Sequence, residues 1–190
     1  MRKVISLMHS SLDGFVATPE GGLEWGRIDD EITTYVDRLI STADTALYGR
    51  VTYQMMESYW PTVPANPSST GRERDHAHWV EHVSKIVFSR SLERVEWNNS
   101  RLVKDHIAEE ISRLKGLPGK HLMIFGSPSL THTFMEMDLI DEYRITVNPV
   151  VLGRGIPMFT DDAKPVKLRL LETKSFQSGV VALGYERDRT

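Results

Sequence analysis

The sequence predicts an α/β fold with a mostly parallel central sheet and antiparallel strands at its C-terminal end. Three observations carry that reading. Short apolar runs alternate with segments of helical periodicity from Lys3 to Ile140, the pattern of strands joined by crossover helices. The three segments after that are all extended and are separated only by turn residues. The chain has 190 residues, 40% hydrophobic and 26% charged, with no cysteine, which suits one globular domain with its own core. No linker, internal repeat or composition shift divides it, so residues 1–190 read as a single domain.

The elements follow in order. KVISLMHS (3–10) is a buried strand, and residues 11–25, rich in Gly, Ser and Pro, form a long loop. Asp29 or Asp30 caps a helix in which Ile32, Tyr35, Val36, Leu39 and Ile40 share one face. TALYG (45–49) is a short buried strand, and a helix opens directly at Gly49. Residues 61–75 are polar and proline-rich and read as an exposed loop, followed by a short helix over 75–84. KIVFS (85–89) is a strand, and a turn at Asn98–Asn99 leads to a weak strand near Leu102–Val103. A helix capped by Asp105 runs to the Gly-Leu-Pro-Gly stop at 116–119. HLMIF (121–125) is the clearest strand, and Ser127 and Pro128 open the next helix as cap and first-turn residue. The final extended segments turn back near Ser178–Gly179.

Composition narrows the function. Without cysteine there are no disulfides, thiol nucleophiles or cysteine metal sites. The net charge is -3 with Lys and Arg scattered, so no basic stripe points to nucleic acid. No apolar run has the length of a membrane span, and no signal-peptide pattern precedes the first strand. A cytoplasmic protein acting on a small molecule is the expectation.

Open α/β sheets bind ligands at the carboxyl ends of their strands, so the strand-to-helix junctions are the places to look. At Gly49-Arg50-Val51-Thr52 a glycine ends a strand, and Arg50 and Thr52 sit at a helix N-terminus, where free N–H groups favour an anion. At Ser89-Arg90 a serine and an arginine follow a strand and suit a phosphate. At Gly126-Ser127-Pro128-Ser129 a glycine again opens a helix. A plain turn, a solvated loop and an ordinary helix cap are the alternatives at the three places. No Gly-x-Gly-x-x-Gly follows a strand, so the dinucleotide fingerprint of the Rossmann fold is absent.

GRVTY (49–53) resembles the Gly-Arg-x-Thr-aromatic motif of dihydrofolate reductases. The opening strand with SLDGFVA, then KIVFSRSL, HLMIFGSPSL and NPVVLGRGIPMF, resembles in order the reductase half of the bifunctional riboflavin-biosynthesis deaminase/reductase. The resemblance spans nearly the whole chain and is strongest to stand-alone bacterial members that lack the zinc deaminase domain. It implies a dihydrofolate-reductase-like three-layer α/β/α fold and an NADPH-dependent reductase of a small heterocycle, such as the 5-amino-6-(5-phosphoribosylamino)uracil reductase step of riboflavin biosynthesis. It further implies that Gly49, Arg50 and Thr52 contact cofactor phosphates. Ser89 and Arg90 lie at the adenosine end, and Arg50 and Arg90 are candidates for the 2′-phosphate. Gly126, Ser127 and Ser129 cradle the pyrophosphate, and Ala17 borders the nicotinamide. A homodimer through the terminal strands is implied as well. Gly126-Ser127 stands where dihydrofolate reductases carry two glycines.

Reduction of a C=N bond or an opened sugar needs a proton donor. The resemblance points to Asp30, after Trp25, as the acid and to Thr146 beside it; a first-turn helix acid and a buried strand threonine are the plain alternatives. Asp13 is a second candidate acid but reads more simply as a turn residue. His9 is offered as facing the pocket from the first strand, with a structural histidine the weightier alternative. Asp75, His76, His78 and His82 invite a metal reading, and His78 and His82 share a helix face, but no third ligand at fixed spacing accompanies them. Met55, Met56, Met135 and Met137 read as core filler. Arg154 is the one arginine offered for a substrate phosphate. Two other functions stay open: a nucleotide-binding or sensing protein without turnover, and a dihydrofolate or pteridine reductase.

Overall fold

The computed structural model describes residues 1–160 and 165–189. Its centre is an eight-stranded sheet. In chain order the strands are β1 (Val4–Ser10), β3 (Ala43–Gly49), β4 (Ser84–Phe88), β5 (Ser100–Val103), β6 (His121–Phe125), β7 (Glu142–Val147), β9 (Leu168–Ser175) and β10 (Val181–Arg187). They lie side by side as β5-β4-β3-β6-β1-β7-β10-β9. The first six are parallel; β10 runs antiparallel to β7, and β9 pairs antiparallel with β10 at the sheet edge. This is the predicted fold class. Two short strands, β2 (Phe15–Ala17) and β8 (Ile156–Pro157), pair outside the main sheet. Gly155 is needed there, because a Cβ on it would stand 2.2 Å from the Ala17 carbonyl oxygen.

Helices cover both faces. On one face α1 (Asp30–Ile40), α2 (Arg50–Tyr59) and α3 (Gly71–His82) pack Ile32, Tyr35, Leu39, Tyr53 and Val80 against Ile5, Leu7, Tyr48, Met123 and Phe125 of the strands. On the other, α4 (Ile107–Gly116) and α5 (Pro128–Glu136) pack Ile111, Leu114, Leu130 and Phe134 against Val4, Leu47, Ile86, Leu122 and Ile124. Successive residues of a strand point to opposite faces, so the parallel strands are apolar on both sides, as buried parallel sheets are. The arrangement is three layers, α/β/α.

Local details depart from the sequence reading in three places. The stretch expected as a loop over 61–75 holds a 3-10 turn (Trp60–Ala65) and the first half of α3. The helix begins at Gly71 because Thr70 and Glu73 form a reciprocal capping box. Asp105 is not the cap of α4; His106 takes that place in a left-handed conformation, φ 50°. Ser127 does occupy the cap position of α5, yet its side chain makes no capping bond. Asp29 accepts from the Ile32 amide at 2.8 Å and is the cap of α1, which leaves Asp30 in the first turn.

Candidate functional site

One cleft of about 840 Å³ runs along the carboxyl edge of the sheet, the position expected for an α/β ligand site. Ala17, Gly49, Arg50, Thr52, Ser89, Arg90, Gly126, Ser127 and Ser129 all line it. These nine residues come from four separate stretches of chain. The parallel register of β3 with β4 and with β6 brings the three junctions level.

The junctions are also tied together. Gly126 and Ser127 both have positive φ, 54° and 47°, so the chain turns sharply between β6 and α5. Serine takes a conformation that glycine adopts without cost. In return its hydroxyl accepts the Gly49 amide at 3.1 Å, linking the start of α2 to the start of α5. A second glycine at 127 would leave that half-buried amide without this partner. Neither α2 nor α5 has a side-chain cap, and neither has an acid in its first turn. Their first N–H groups are not consumed by the helix, and Arg50 and Arg90 are exposed beside them. The cleft edge is therefore electropositive, rich in unspent donors and suited to a polyanion.

Asp30 stands away from this cleft. Its carboxylate is fully exposed on the outer side of α1 and lies 3.5 Å from Arg72. The expectation of a carboxylic acid in the cleft fails because Asp29 takes the cap and the helix turns Asp30 outward. Glu136 is the carboxylate that lines the cleft among the described residues. Asp13 is fixed elsewhere, accepting the Leu152 amide at 3.0 Å and the Gly153 amide at 2.7 Å. Bonding from Ser11 and from those amides holds its carboxyl below the usual range, the opposite of what a proton donor needs.

Thr146 is buried and its hydroxyl bonds to Nδ1 of His9. The two residues are register neighbours on β1 and β7. His9 lines the cleft. Its ring is open to the cleft, yet it sits deep between protein walls, and that desolvation lowers its pKa from the usual 6.5. The position beside Thr146 that was expected to hold an acid thus holds an imidazole. The sequence reading offered His9 as facing the pocket but weighed a structural histidine above it; the structure places it on the cleft.

Two further groups had been given other roles in the sequence reading, His76 in a metal cluster and the methionines as core filler. His76, on α3, lines the cleft; its ring packs 4.4 Å from Trp60 and 5.8 Å from Trp79, centroid to centroid. Burial lowers its pKa too. Met55, Met56 and Met137 line the cleft as well; Met55 and Met137, 47% and 43% exposed, are not core filler, whereas Met56 and Met135 do pack against the core. Among the described residues no group of three or more His, Asp or Glu could hold a metal ion, and no helix is long and apolar enough to cross a membrane.

The comparisons agree with this architecture. YyaP, an uncharacterized protein of Bacillus subtilis, is 33% identical over 97% of this chain and 94% of its own length. A pyrimidine reductase-like protein from Corynebacterium diphtheriae superposes with a TM-score of 0.70 at 15% identity, over 100% of this chain and 93% of that one. Dihydrofolate reductase from Enterococcus faecalis, solved with NADP(H), superposes with a TM-score of 0.63 at 14% identity, over 98% and 96%. At those identities the two structures speak for the fold, which is dihydrofolate-reductase-like. The model of the RibD C-terminal domain matches residues 2–182, and the chain belongs to that family.

Proposed function

We propose that the protein binds NADPH along the carboxyl edge of its sheet and uses it to reduce a small heterocyclic compound. The observation that carries this reading is the convergence of two uncapped, acid-free helix starts with Arg50 and Arg90 on one cleft. Free backbone donors of α2 and α5 suit a pyrophosphate, and an arginine suits a 2′-phosphate. The residues present fit the cofactor: Gly126, Ser127 and Ser129 would hold its pyrophosphate, Gly49, Arg50 and Thr52 its phosphates, Ser89 and Arg90 its adenosine end, and Ala17 would border the nicotinamide. When bound, NADPH supplies a hydride. The Enterococcus faecalis neighbour with NADP(H) supports the choice of cofactor. The family and the Corynebacterium neighbour support a reductase of the pyrimidine type. The reduction belongs in the cytoplasm. With Asp30 outside the cleft, a dihydrofolate reductase reading has lost its acid. His9, held by Thr146, is the polar group that remains beside the reacting position.

The test is a titration followed by thermal shift. NADPH should raise Tm saturably and NADH should bind more weakly; Arg90→Ala should erode that preference by about tenfold, one charge-assisted contact. No saturable stabilisation by either cofactor would sink the reading. Saturable binding without oxidation of NADPH by any pteridine, pyrimidine or quinone would favour a nucleotide sensor instead. The outer strand β9 exposes Leu170 and Leu171, and an open apolar edge of this kind supports the homodimer, which sedimentation would detect.

A further inference from the structure

We propose that the half of the cleft walled by α1, α2 and α3 accepts an uncharged, planar, conjugated compound and rejects phosphorylated or carboxylated ones, with His9 as its hydrogen-bond donor. The inference rests on the NADPH reading and names the substrate class for the same site.

The argument is a census of charge. The cations lining the cleft are Arg50, Arg90 and Lys104. All three follow β3, β4 or β5, at one end of the strand order, where the cofactor phosphates are assigned. The opposite wall is different in kind. It is built from Val36 and Ile40 of α1, Met55 and Met56 of α2, and Phe125 of β6. Arg50 opens α2 at its cofactor end, and among the described residues no other lysine or arginine of α1, α2, α3 or the loop over 18–28 lines the cleft. Arg38 is paired with Glu172 and Arg72 with Asp37. Arg154 is exposed and does not line the cleft either. A phosphate or carboxylate entering this half would lose its water and meet no counter-charge, which costs far more than burying a neutral group.

The two histidines do not supply that counter-charge. Desolvation holds both below the usual 6.5, so both are neutral at physiological pH. His76 is packed against Trp60 and near Trp79, which makes it a fixed aromatic wall. Flat rings stack well on such a wall and on methionine sulfurs. His9 differs because Thr146 occupies its Nδ1. We assign the Thr146 hydroxyl as donor to Nδ1; in that tautomer the neutral ring carries its proton on Nε2 and offers it to an acceptor in the cleft. A C=N or C=O heteroatom bonded there would keep the displaced π pair and take one solvent proton, and NADPH, when bound, would supply the hydride to the adjacent carbon and leave as NADP⁺.

Calorimetry on protein saturated with NADP⁺, which cannot turn over, tests this with matched pairs: pterin against pterin-6-carboxylate, uracil against orotate, riboflavin against its 5′-phosphate. The neutral member should bind at least about tenfold tighter in each pair that binds. Met55→Lys, at an exposed position, should narrow that gap by placing a cation on the wall. His9→Leu should weaken the neutral ligand by about fivefold. Any pair in which the anion binds within that tenfold factor or better overturns the proposal, and so does a set in which no neutral compound binds. NADP⁺ binding is measured first; its failure would defeat the cofactor reading, whereas NADP⁺ binding joined to an anion preference defeats only the substrate class.

Discussion

Two helices that begin at the cleft, α2 and α5, differ from two that begin away from it, α1 and α3. α1 and α3 are closed at their starts: Asp29 caps the first, with Asp30 and Glu31 in its first turn, and Thr70 with Glu73 closes the second. Each spends its free amides and its dipole on its own side chains, which stabilises the helix and leaves little for a ligand. α2 and α5 forgo both devices. The comparison teaches that an unfinished helix start on a ligand cleft is a donor set held in reserve, and that Ser127 holds two such starts in one frame.

The strongest way to break this comparison is to finish one of the open starts. Thr52→Glu places an acid at the third helical position of α2, where it favours the helix. It also puts a negative charge against the phosphates, so NADPH affinity should fall by about 100-fold while the Tm of the free protein holds or rises. A Tm loss that tracks the affinity loss would mean that Thr52 matters for folding and not for the cofactor. Cutting the link between the starts should do less. Ser127→Gly keeps the left-handed turn but removes the acceptor of the Gly49 amide, and the Kd for NADPH should rise by about tenfold. An unchanged Kd would mean that the two starts hold their positions without the serine.

Opening a closed start should have the smallest effect and no effect on the cofactor. Thr70→Ala should cost about 1 kcal/mol by chemical denaturation and leave NADPH binding untouched. Its cost should also depend on pH. The bonds from the Thr70 amide and hydroxyl hold the Glu73 carboxyl below its usual 4.5. The unfolded chain therefore takes up that proton first as pH falls, and the carboxylate's contribution, full above 4.5, fades below it. Denaturation curves of the two proteins should draw closer in acid, with the gap left by the bond from the Glu73 amide to the Thr70 hydroxyl remaining.

Much of the site was legible because its residues sit where strands meet helices. Gly49-Arg50-Val51-Thr52 and Gly126-Ser127-Pro128-Ser129 each announce a strand end and a helix start in a few adjacent letters. The capping box at Thr70 was legible by the same local logic, but the proline-rich stretch before it drew the reading toward loop. His9, His76 and Met55 carried no such local signal. Each lies on an element whose period explains it equally well as core, and the difference between core and cleft wall is a matter of what stands opposite. Asp30 failed for the complementary reason: its distance from Trp25 suggested reach, while the rotation of α1, fixed by Ile32, Tyr35 and Leu39 packing inward, turned it to solvent.

By itself the sequence determined the order of strands and helices, the parallel body with its antiparallel end, and the anion-suited junctions, because periodicity, caps and glycine turns act over a few residues. The tertiary structure alone decided which junctions share a cleft, that Ser127 braces Gly49, and that an imidazole held by Thr146 occupies the place expected for an acid. Those outcomes depend on strand order and helix rotation, which are settled by contacts between residues far apart in the chain.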